Sequence, residues 1–305
     1  MSFPWLYLEP AWLWVWKALN SSLASSLVVA FTGSLFGAYT AKRIAERAKL
    51  KDDLLKEIRN INAASIIAFG ITNSHIAIKK QHVRGLYKRF HDKRQELIDI
   101  RNKNERGELK QKVVFNFQAD FESLAPLAQP IGALQNLIFD KLTSTGKVAL
   151  LAATLSQMMQ SLNESIQHRN TLIENWKQRG LAQDELVALY FGLPQRDGRV
   201  IDQTYATLVE AIYEYTDDVI AFGKMLGAEL AAEGDRIKGV FQKSFPRFES
   251  PSITKVDFAK ATAEGLMPPP EKFTDFSEMF SPEAGSKKSN LWRRLTCKLL
   301  ASSSR

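Results

Sequence analysis

Four histidines and one cysteine are the residues best suited to metal chemistry: His75, His82, His91, His168 and Cys297. His75 and His82 lie seven residues apart and could share a helix face. Two imidazoles at that spacing still need a further ligand from another segment to enclose one ion. Glu164 and His168 are four apart, a single pair, whereas dimetal bundles repeat a three-residue Glu–His spacing. Each histidine is therefore expected to be hydrogen-bonded or solvated, and no cofactor is expected. The lone thiol excludes an internal disulfide and fits a reducing compartment.

Glu210, Glu214, Asp217 and Asp218 form an acidic cluster. Such a cluster could bind a metal, exchange protons, or simply face water. A further reading is that it packs against the basic stretch 79–106 and sets the order of helices. Exposed pairs contribute only about 0–1 kcal/mol each, so orientation would be the main effect. That stretch holds a possible basic patch of Lys79, Lys80, Arg84, Lys88 and Arg89. Nucleic acid could bind there, with Tyr87 and Phe90 as stacking groups, but a solvated face is favoured. No Walker A loop, GxGxxG after a strand, HExxH or GxSxG occurs. The chain thus reads more as a non-enzyme than an enzyme.

The elements that must carry these residues read as all-α. Residues 18–41 contain no formal charge. As a helix they would rise roughly 36 Å, enough for a hydrocarbon layer of about 30 Å. Trp12, Trp14 and Trp16 precede this span and Lys42, Arg43 and Arg47 follow it, as interfacial belts do. The positive-inside rule then places residues 1–17 outside as a Trp-rich flank and the bulk of the chain in the cytoplasm. Ser25, Gly33 and Gly37 share one four-residue stripe, and Ser26, Ala30 and Ser34 its neighbour. Small residues let helix backbones approach closely in lipid, which predicts self-association.

Residues 42–245 read as a long-helix bundle with coiled-coil character. Residues 42–112 hold 19 Lys+Arg against 9 Asp+Glu. The uncharged stretch 60–78 carries Asn, Ser, Thr and His, which suit a protein core with paired polar groups better than a second membrane pass. Residues 102–108 read as a turn, and Pro126 and Pro130 predict short helices with a break. A helix is predicted to run up to Arg179. The alternating four- and three-residue steps of Ile201, Tyr205, Leu208, Ile212, Tyr215, Val219, Phe222 and Leu226 predict a helix packed lengthwise in the bundle. Later glycines should weaken it. Proline-rich residues 246–290 read as a linker or disordered segment, and 291–305 as a short basic amphipathic tail.

The resulting expectation is a single-pass protein of a bacterial inner membrane, an anchored helical interaction or effector protein, with a membrane-perturbing effector of the toxin or defence type as its sharper form. Its expected partners are membrane lipid, further copies of itself and an unidentified cytoplasmic protein. The alternative is a membrane-tethered nucleic-acid binder or enzyme.

Overall fold

The computed structural model describes Trp16 and residues 22–108, 113, 115–143, 146–193 and 202–274. Among these residues every regular element is helical and no strand occurs. Helix α1 (Ser22–Ile78) passes through one π turn (Lys79–Val83) into α2 (Arg84–Glu105), giving one rod roughly 125 Å long at about 1.5 Å per residue. Then follow α3 (Ile131–Asn136) with a second π turn (Leu137–Lys141), α4 (Gly146–Arg179), α5 (Gln183–Phe191), α6 (Thr204–Ser244) and α7 (Ala259–Ala263).

The rod, α4 and α6 pack lengthwise into the core. Helix α6 runs antiparallel to both neighbours: it brings Asp217 to Lys79 on one side, and Tyr205 to Trp176 and Glu229 to Lys147 on the other. The stripe read from its sequence faces inward. Tyr205, Leu208, Ile212, Val219, Phe222 and Leu226 are buried and Tyr215 is half-buried, while Ile201 lies outside the described residues. Two of the glycines expected to weaken α6 are its points of closest approach. A Cβ on Gly223 would collide with Thr72 Oγ1, and one on Gly234 would lie 2.8 Å from Ile253 Cγ2.

The turn after α2 forms at Gly107, whose φ of 68° is the left-handed conformation that ends many helices. Of the short helices expected around Pro126 and Pro130, only the one after the break forms. Residues 115–130 run without regular structure, and α3 starts only after Pro130. The segment is held by side chains rather than by a strand partner. Asn170 accepts the Leu124 N–H and donates to the Leu124 carbonyl, and Asn163 does the same for Leu127.

The proline-rich region expected as a linker is, over residues 246–274, laid along the α1–α6 groove. Asn62 grips it by donating to the Ser252 carbonyl and accepting the Thr254 N–H, each at 2.9 Å. Leu266 packs with Ile76 and Ile220, Phe258 with Phe69, and Phe273 with Phe222. These apolar contacts are single and irregularly spaced, so they leave no helical or strand period to read. Residues 275–305, with the expected tail helix 291–305, lie outside the described residues.

Candidate functional site

The N-terminal part of α1 projects, exposed, from the bundle. Every side chain from Val29 to Leu50 is exposed, and the first buried one is Leu54. Val29, Phe31 and Phe36 expose 69%, 66% and 72% of their surface, far more than isolated surface hydrophobes require. The hydroxyls among them are satisfied within the helix: Thr32 bonds the Val29 carbonyl, Ser34 that of Phe31 and Thr40 that of Phe36. That local pairing is what a helix needs where no water is present.

On this projection Ser26, Ala30, Gly33, Ser34 and Gly37 are exposed, and no described residue lies within 4 Å of where a Cβ on either glycine would stand. The Ser25 side chain lies outside the described set, as do Trp12 and Trp14, while Trp16 is exposed. By length and composition this helix could cross a membrane, through a window of mean hydropathy 1.3 that is 44% buried. Because 29–50 are exposed throughout, so much burial places that window largely in the packed part of α1.

Within that packed part, the polar groups of residues 60–78 are matched as a core requires. Thr72 bonds the Ala68 carbonyl, His75 Nδ1 lies 2.8 Å from the Ile71 carbonyl, and Asn60 donates to that of Lys141. Only the Ser65 hydroxyl is buried without a partner here. Burial holds the His75 imidazole below its ordinary pKa.

Below the projection, the basic residues form a collar. Lys42 lies 3.9 Å from Glu46, and Arg43 sits over the Tyr39 ring. Arg47 donates to the Ser244 carbonyl at 3.2 Å and lies over Phe245; Lys51 Nζ stands 3.5 Å above the Phe248 ring. The collar therefore also fastens the start of residues 246–274, which form a strap along the α1–α6 groove.

The distal patch is engaged within the molecule. Lys79 is buried and bonds Asp217 at 2.5 Å and the Leu266 carbonyl at 3.1 Å. Lys80 pairs with Glu264, Arg84 donates to the Glu264 carbonyl, and Arg89 pairs with Asp120. Lys88 is exposed. Neither suggested stacking group is open to a base: Phe90 is buried among Tyr190, Phe191 and Tyr205, and Tyr87 stacks on Tyr213 at 4.0 Å. Of the acidic cluster only Asp217 meets a cation of this patch, Lys79; Glu210 lies 2.7 Å from His91, and Glu214 and Asp218 pair with Lys272 from the strap.

Arg169 is a hub that no spacing or motif marks. Buried in α4, it donates to the carbonyls of Asp120 and Glu122 and to the Tyr205 hydroxyl. It also lines a polar cleft of about 90 Å³ with Gln81, His82, Arg89, Asp120 and Glu122. That volume suits a few waters, well below the roughly 300 Å³ at which small-molecule sites begin. Glu164 and His168 are exposed on α4, and Glu164 accepts from Gln160. Among the described residues no three His, Cys, Asp or Glu side chains converge to hold an ion. The arrangement is suited to holding a rigid rod against its strap, and among the described residues its longest run of exposed side chains is the projection, Val29 to Leu50.

No family model matches the chain, and no curated protein or solved structure is significantly similar to it.

Proposed function

We propose that this chain is a membrane-anchored helical interaction or effector protein, with α1 crossing the bilayer once and the bundle on the cytoplasmic side. The carrying observation is the projection itself: uncharged up to Ala41, exposed at every described side chain, then followed at once by cations. From Ser22 to Ala41 the helix rises roughly 30 Å, the depth of a hydrocarbon core. An apolar rod of that length is strongly disfavoured in water, and lipid covers it without any further partner.

In this reading the open faces of Gly33 and Gly37 let copies of the helix associate. Because α1 continues without interruption into the bundle, a change in helix packing within the bilayer is carried to the cytoplasmic end, and a partner bound there acts in reverse. Membrane perturbation by such an assembly is the effector form of the same proposal.

Ultracentrifugation without detergent tests the anchor: the full chain is expected in the membrane pellet and to be released only by detergent. A chain that stays in the supernatant overturns it. Cross-linking in membranes tests the assembly, since Gly33→Ile with Gly37→Ile should reduce dimers and larger species. Unchanged cross-linking would remove that face as the contact.

A further inference from the structure

We infer that the end of the bundle nearest the projection is a second contact with the bilayer, a surface for anionic lipid headgroups built from Arg47, Lys51, Lys243 and Arg247 around Phe248. The inference rests on the membrane reading of α1 and extends it to residues some 200 positions further along the chain. Phe248 is 52% exposed beside exposed Arg247 and Lys243. The strap is fixed at this level by the collar, through Arg47 on the Ser244 carbonyl and Lys51 over the Phe248 ring.

Charge favours an anionic surface. Residues 42–56 and 243–249 together hold eight Lys and Arg against four Asp and Glu. Of the four acids, Glu46 faces Lys42, while Asp52, Asp53 and Glu249 are exposed. Lys49, Lys243 and Arg247 are exposed cations with no acidic partner among the described residues.

Distance favours the bilayer as the source of that charge. Lys51 lies ten residues past Ala41, about 15 Å along the axis. The headgroup layer covers about 5–7 Å of that. The rest is comparable with the Debye length of about 8 Å at physiological salt. The neutral stretch 18–41 is also longer than the hydrocarbon depth, a mismatch that helices relieve by tilting. Tilt towards the α6 side lowers Phe248 into the interface, and the cations around it select that direction. A long aromatic flanked by Lys and Arg is the composition that interfacial segments use.

Spin labels on the full chain test this. The single cysteine makes Phe248→Cys in a Cys297→Ser background a unique site, and Leu35→Cys in the same background reports the anchor. In phosphatidylserine-containing bilayers the label at 248 should gain oxygen and lose nickel-chelate accessibility relative to pure phosphatidylcholine. Adding Lys243→Glu and Arg247→Glu should abolish that shift and leave the reading at 35 unchanged. A label at 248 that stays aqueous in both bilayers while 35 lies in hydrocarbon overturns the second contact and leaves the anchor standing. A shift that survives the charge reversal overturns headgroup recognition. An aqueous label at 35 removes the anchor, and this surface with it.

Discussion

Lys79 Nζ and Asp217 Oδ1 lie 2.5 Å apart where the π turn of the rod meets α6, with 3% and 5% of their side chains exposed. Burial raises the Asp217 pKa despite the hydrogen bond from Lys79, so the pair does not fully offset the cost of desolvating the carboxylate. Lys79 also bonds the Leu266 carbonyl, which ties the strap to the same point.

Losing one partner and losing both should therefore differ sharply. Lys79→Met leaves a carboxylate in the core and is expected to cost about 3–5 kcal/mol. Lys79→Met with Asp217→Leu should recover most of that loss, with only the Leu266 carbonyl still short of a donor. Urea unfolding of the four variants of a double-mutant cycle measures the coupling. Additive single losses would mean that the two side chains do not act as a pair.

His75 gives a pH dependence of known sign. Its folded-state pKa is depressed by burial, so the unfolded chain binds the proton more readily. Its contribution is fully present above the unfolded value of about 6.5 and is lost as pH falls through that value towards the folded one. His75→Gln should flatten this part of the stability curve. Unfolding midpoints measured from pH 7.5 downwards on both proteins check it, and parallel curves would exclude His75 as the source.

The sequence made legible what depends on repetition. The α6 stripe follows from spacing, and the meeting of Asp217 with Lys79 from charge. The strap was hidden because Ile253, Phe258, Leu266 and Phe273 each fill a separate gap, while six prolines and many polar residues in 246–290 have the composition of a linker. Arg169 was hidden because its partners are main-chain carbonyls, which every residue carries. The basic patch misled for the opposite reason: composition counts charges, and Lys79, Lys80 and Arg89 are balanced by acids far along the chain.

Glycines of α6 should divide by sign. Gly239 has nothing within 4 Å of its Cβ position, so Gly239→Ala should gain up to about 1 kcal/mol from helix propensity. Gly223→Ala makes the same gain but drives a methyl into Thr72 Oγ1, an overpacking that costs about 1–3 kcal/mol. Removing the hydroxyl with Thr72→Ala should rescue it. Melting temperatures of the three variants decide this, and a stabilising Gly223→Ala would contradict the close contact.

Asn170 and Asn163 stand seven residues apart on α4, and each serves both main-chain groups of one residue, Leu124 or Leu127. A strand partner would supply the same two bonds, so the asparagines replace a neighbouring strand in a molecule with none among its described residues. Asn170→Ala leaves a part-buried N–H and carbonyl without partners, an expected loss of about 1–3 kcal/mol. The change should be local first, because among the described residues the Asn170 side chain hydrogen-bonds only Leu124. Hydrogen exchange at residues 117–127 is therefore expected to accelerate while α6 keeps its protection. Arg169→Met should accelerate the same amides more, since it releases the Glu122 carbonyl and leaves that of Asp120 with only the long bond from the Tyr205 hydroxyl. Uniform acceleration across the chain would instead make this segment part of one cooperative unit with the core.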